Sequence, residues 1–180
     1  GIKFFKIITK LSFMYRPQVI LSSFGSILLG ISILVMIQPV KYYFETLSVL
    51  DTSIYRFIFS GLLLTISTSL FCISFLSSKI VKVSLLKNHN LKTNKGISYV
   101  FLNSKLSTIL SILLIIIGIF LIRNSLIDRI YTGHTDEHWS RYISMLFLVF
   151  QSILILSTKI INYSLKLIIH KKDFLVKTKK

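Results

Sequence analysis

Four uncharged stretches, each long enough to cross a bilayer, set what this chain can fold into: Pro17 to Val40, Phe57 to Ser78, Leu106 to Ile122 and Tyr142 to Thr158. A membrane helix needs about 20 mostly apolar residues, with roughly 17 as the short limit, because the hydrocarbon core is ~30 Å thick and a helix rises ~1.5 Å per residue. All four stretches reach that length. The sequence therefore predicts an all-α membrane protein with four transmembrane helices, arranged as two tandem hairpins at 17–78 and 106–158.

The charges between the stretches predict which way the protein faces. Lys3, Lys6, Lys10 and Arg16 precede the first stretch. Lys79, Lys82, Lys87, Lys92, Lys95 and Lys105 fill the middle connection, and seven lysines from Lys159 to Lys180 fill the tail, against one acid, Asp173. In the other two connections Lys41, Arg56, Arg123, Arg129 and Arg141 are cancelled by Glu45, Asp51, Asp128, Asp136 and Glu137. The whole formal charge of +16 thus falls on one side. Cytoplasmic loops accumulate Lys and Arg, so the chain is expected in the cytoplasmic membrane with both termini and the 79–105 connection inside. A nucleic-acid partner is excluded, because no soluble basic domain remains once the spans are removed.

With 53% hydrophobic residues, 180 positions leave no room for a separate soluble domain. The single Cys72 lies inside the second stretch, has no partner for an internal disulfide, and reads as an inert buried thiol. The first apolar stretch is too long for a cleavable signal and no small-residue cleavage site follows it. The chain opens on Gly1 rather than Met, which leads us to expect processing or excision from a longer polypeptide.

An internal repeat is expected. Ser77-Ser78-Lys79-Ile80 matches Ser157-Thr158-Lys159-Ile160 at an offset of 80, Arg56-Phe57-Ile58 answers Arg141-Tyr142-Ile143, and Gly30 and Gly118 sit within the first and third stretches. Two spans per unit preserve orientation, so the hairpins would be parallel repeats about the membrane normal, with Lys79 and Lys159 at equal depth. Basic amphipathic segments flank the hairpins. In 1–16, Lys3, Lys6 and Lys10 share one helical face, a pattern that lies flat among anionic lipid headgroups while its apolar side dips into the acyl boundary. Lys79 to Lys87, within the basic connector 79–105, and Lys159 to Lys172, within the basic tail 159–180, read similarly, and Asn88 to Gly96 reads as a polar turn between the halves.

Little in the chain suits catalysis. There are six acids, with no Asp-x-Asp pair and no Gly-rich phosphate loop. His134 and His138, four apart, would share a helical face, but the order His134-Thr135-Asp136-Glu137-His138 lacks the Glu directly after the first His that a zincin site needs. No catalytic residue, metal ligand or cofactor is assigned to these positions.

Met14-Tyr15-Arg16-Pro17 leading into a Gly-punctuated apolar helix, and Tyr131-Thr132-Gly133-His134 with Ser140 opening the last stretch, resemble the C-terminal membrane region of family 2 glycosyltransferases acting on polyprenyl phosphates. The four-helix form is similar to that of some archaeal dolichyl-phosphate mannose synthases. The resemblance implies a membrane domain that anchors a catalytic glycosyltransferase domain, absent from this chain, at the cytoplasmic surface. It also implies that the domain guides the lipid acceptor. The acceptor phosphate would be drawn to Arg16, Lys10 and Lys79, and arginine suits it because the planar guanidinium donates two hydrogen bonds at once. The competing reading is a non-catalytic four-helix membrane protein, either a subunit of a larger assembly or a flippase for lipid-linked sugars.

The charge split makes the topology testable. A thiol introduced by Asp51→Cys or Asp136→Cys is expected to react with an impermeant maleimide from outside the cell. Reaction only after the inner face is opened, at either position, would refute the arrangement.

Overall fold

The computed structural model describes residues 1–4, 6–7, 17–46, 51–85, 102, 104–132 and 140–177. These include five helices: α1 Pro17–Thr46, α2 Asp51–Leu85, α3 Leu106–Leu121, α4 Arg123–Thr132 and α5 Ser140–Lys177. Residues 2–4 and 6–7 are also helical, and there is no strand among the described residues. Three helices are long and apolar enough to cross a membrane, over Pro17–Tyr42, Ser53–Val81 and Arg141–Ile168, and α3 is apolar but shorter, at 16 residues.

One of the expected starts holds: Leu106 opens α3. Pro17 is the first described residue of α1, and the residues before it lie outside the described ones. The helices overrun the apolar stretches elsewhere. The basic segment after Ser78 stays helical to Leu85, and the segment after Thr158 stays helical to Lys177. Both were expected to turn and lie flat. Instead they prolong α2 and α5, because no Gly or Pro interrupts them and extending an existing helix needs no new nucleus. Between α3 and α4 one residue breaks the pattern: Ile122 has φ −103° and ψ 5°, and its N–H reaches back only three residues, to Ile119 O at 3.3 Å.

The packing reverses the layout of a water-soluble bundle. Leu34, Phe59, Ile116, Phe120 and Ile160 point outward, whereas the buried set is dominated by serines: Ser32, Ser60, Ser67, Ser74, Ser107, Ser111 and Ser152. In lipid there is no hydrophobic gain from hiding Leu or Ile, and association relies on close backbone approach and hydrogen bonds between helices. Serine supplies both here, in a sequence without a single alanine.

The serines fall on a seven-residue register. Ser74 Oγ donates to Gln18 O at 2.9 Å, Ser67 Oγ to Gly25 O at 2.7 Å, and Ser32 Oγ to Ser60 O at 2.8 Å. Steps of seven forward along α1 meet steps of seven backward along α2, so the two helices are antiparallel with one continuous stripe in contact. The α3–α5 pair repeats the arrangement. Lys159 Nζ donates to Ser104 O at 2.6 Å and Ser152 Oγ to Ser111 O at 2.8 Å. One heptad further, a Cβ on Gly118 would lie 3.4 Å from Val149 and 3.6 Å from Met145.

The hairpins join through α2 and α5, which run parallel. Gly61 faces the ring of Phe147, Cys72 Sγ lies 3.9 Å from Leu154 O, and Cys72, Phe75, Leu102 and Ile155 form a small apolar cluster with Leu76 and Leu114 against it. The helices thus pack in the order α1, α2, α5, α3.

This geometry corrects the register of the internal repeat. Gln18 to Ser104 and Gly25 to Ser111 are both steps of 86, and Ser67 to Ser152 and Ser74 to Lys159 are both steps of 85. Arg56 and Arg141 keep that spacing, but the Lys79–Lys159 match does not. Lys159 occupies the seat of Ser74, and Lys79 lies five residues, about 7.5 Å of helix, beyond it toward the basic end. Gly30 and Gly118 are not equivalents either: a Cβ on Gly30 would meet nothing within 4 Å, whereas Gly118 faces α5.

The glycines grade this packing. A Cβ at Gly61 would sit 2.6 Å from the Phe147 ring, at Gly25 3.4 Å from Ser67 O, and at Gly30 in open space. Gly61→Ala is expected to destabilise by about 1–3 kcal/mol through overpacking and Gly25→Ala by less. Gly30→Ala should be neutral or stabilising by up to ~1 kcal/mol through helix propensity. Reversible unfolding in bicelles would measure the series, and equal effects at all three sites would contradict the packing.

Candidate functional site

The seam stacks the four long helices into layers, and the layer at the basic end differs from the others. The middle layer is small throughout, with Gly25, Ser67, Ser152 and Ser111. The basic-end layer holds Gln18 on α1, Ser74 on α2, Lys159 on α5 and Ser104 immediately before α3. It is polar across its width and carries the one ammonium that enters a seam among the described residues.

Of the residues expected to hold a lipid phosphate, Lys10 and Arg16 lie outside the described residues. Lys79 is half-buried beyond this layer, its Nζ 5.5 Å from the centroid of the Phe75 ring, a cation–π distance. Phe75 is wholly buried, so the ring also fixes where the lysine stem leaves the bundle. His134, Asp136, Glu137 and His138 lie outside the described residues. Among the described residues no group of His, Cys, Asp and Glu could hold a metal ion.

Lys159 belongs to the site, although the sequence marks it only as the repeat partner of Lys79 and not as a lipid-phosphate residue. Its nitrogen reaches Ser104 O, which also accepts from Ser107 Oγ at 3.0 Å. Lys166 follows seven residues on along the same stripe and is exposed. One turn below, Asn162 is 6% exposed and its Oδ1 has no hydrogen-bond partner, and Gln18 Nε2 at the head of α1 is likewise buried and unpaired. Heptad spacing from Ser104 and Ser152 was the signal that could have identified Lys159: 104 and 111 on one helix face 159 and 152 on the other.

Chemically, this arrangement offers an ammonium, buried amides and serine hydroxyls. It can hold an anion or a hydroxylated headgroup. Among the described residues no carboxylate lies in the same layer.

A third buried amide sits mid-span. Gln151 is 8% exposed and its Nε2 has no partner, on an α5 face between Phe147 and Leu154 that packs toward α2. An unpaired buried amide costs about 1–3 kcal/mol. Gln151→Leu is therefore expected to stabilise the protein by roughly 1 kcal/mol against denaturation in bicelles. Destabilisation would mean that the amide has a partner in the membrane.

Compared with protein-family models, curated proteins and solved structures, the chain shows no match to any of them.

Proposed function

We propose that this chain is the membrane domain of a glycosyltransferase that transfers a sugar from a nucleotide sugar to a polyprenyl phosphate, anchoring the catalytic domain and guiding the lipid acceptor. In this reading all four apolar helices cross the cytoplasmic membrane as two tandem hairpins. The 16 residues of α3 rise ~24 Å and the turn at Ile122 with the start of α4 completes the crossing. Both termini face the cytoplasm, with the basic layer at the inner leaflet.

The observation that carries the reading is the polar layer of Gln18, Ser74, Lys159 and Ser104, with Lys79 beyond it, at the end where the sequence concentrates its charge. A lipid phosphate is the anion that reaches such a place from the side of the bilayer. Its isoprenoid would lie along the apolar outer faces of the helices, and its phosphate would meet Lys79, Lys10 and Arg16. The catalytic groups for sugar transfer belong to the partner domain.

Gln151 favours the second reading, a non-catalytic four-helix protein such as a flippase for lipid-linked sugars. Polar groups at mid-membrane depth are expensive and usually mark a path. The two readings separate at that residue: sugar transfer tolerates Gln151→Leu, and transbilayer movement of a lipid-linked sugar does not.

Arg16 is the only arginine on the basic side. Replacing a charged hydrogen bond to phosphate by Ala costs about 1.5 to 3 kcal/mol, roughly ten- to more than a hundredfold in affinity. Arg16→Ala in the full-length protein is expected to weaken polyprenyl-phosphate binding by that factor while membrane insertion survives, and Arg16→Lys should lose less. Unchanged binding in both variants would remove Arg16 from the site.

A further inference from the structure

The seat of Lys159 is a packing position, and packing does not require a lysine there. In the first hairpin the equivalent residue is Ser74, whose hydroxyl donates to Gln18 O just as the ammonium donates to Ser104 O. A neutral residue with three fewer carbons in its stem does the same work. The lysine keeps that bond and adds a positive charge inside the seam.

The charge has company of its own sign. Lys159 uses one of its three N–H donors on Ser104 O, and no carboxylate pairs with it among the described residues. Lys166 lies seven residues, two helical turns, further along the same stripe, and both it and Lys105, beside Ser104, are exposed. Lys105 also gives the start of α3 no side-chain cap, although the N–H groups of Thr108 and Ile109 both bond back to Lys105 O. Lys159 is thus a cation inside a helix seam with no anion beside it among the described residues.

We propose that the basic end of the second hairpin, centred on Lys159 with Lys105 and Lys166 at its rim, is a binding site for the phosphate of an anionic membrane lipid. The lipid enters laterally, its acyl chains run along the apolar flank of α3 and α5, and its phosphate oxygens accept from the free donors of Lys159. Among the described residues the first hairpin puts no charge at the equivalent seat, because Ser74 and Gln18 are neutral. The proposal requires only that these helices cross a bilayer, and it stands whether or not the protein takes part in sugar transfer.

The test uses the whole chain in detergent, with native mass spectrometry reading the binding of dioleoyl phosphatidic acid and of dioleoyl phosphatidylcholine. The wild type is expected to prefer phosphatidic acid. Lys159→Ser, which installs the residue of the first hairpin, should weaken phosphatidic acid at least tenfold, about 1.4 kcal/mol. Lys159→Arg should stay within threefold of the wild type, and the control Lys3→Ser, which removes one exposed charge elsewhere, within twofold. An unchanged affinity in Lys159→Ser, or an equal loss in Lys3→Ser, would overturn the site. Displacement of the lipid by millimolar inorganic phosphate would also overturn it, since the ligand would then be free phosphate. If Lys159→Ser does not fold, the unmodified chain decides: phosphatidic acid with a diazirine near its headgroup should label the peptide around Lys159, and labelling confined to other peptides refutes the proposal.

Discussion

A serine hydroxyl donated to a backbone carbonyl on the neighbouring helix is the interaction on which the rest of this fold depends. Ser67 to Gly25 and Ser152 to Ser111 are the same bond made twice, once in each hairpin. A helix in lipid already satisfies its own backbone, so an outside donor reaches a carbonyl only if the two backbones come close, and close approach needs small residues along the stripe. The seven-residue spacing supplies them on every second turn. Each bond contributes about 0.6 kcal/mol on average in membrane proteins, so the seam's strength comes from repetition and from the dispersion contacts that the close approach permits.

The apolar stretches were legible because length and missing charge are decisive for crossing a bilayer, and Leu106 marked a true helix start. Helix ends were not legible. Lysine and leucine past Ser78 and Thr158 are good helix formers, and a charge census cannot tell a helix that leaves the membrane from one that turns along it. The repeat was visible but its register was misread, because matching letters at the lysine-rich ends gave 80 whereas the packing seats give 85 and 86. Serine has two uses in such helices. Thr68 bonds back to Leu64 O on its own helix while Ser67 crosses to the next, and only the heptad phase separates the two.

The same confusion hid Lys159. In composition it is one lysine among many on the basic side, and its distinction is positional: it takes a seat that its counterpart gives to Ser74. Lys79, which the sequence did single out, lies against Phe75 outside the seam. The candidate site thus combines a charge that composition reveals with a depth that only pairing of helices reveals. The buried amides of Gln18, Asn162 and Gln151 were invisible for a related reason. An uncharged polar residue does not interrupt an apolar stretch, and burial decides whether it matters.

Because the acceptors in the seam are backbone carbonyls, every residue of the facing helix offers one, and a helix displaced by one heptad finds nearly the same set of bonds. The α1–α2 and α3–α5 seams therefore behave as racks with evenly spaced teeth, tolerant of vertical sliding in units of about 10 Å. The contact of Phe147 with Gly61 has no such periodicity, since a large ring meets a missing side chain at one height alone. It acts as a detent that holds one hairpin level with the other. A membrane that thickens or thins around the protein would strain that single ring before it disturbed the serines.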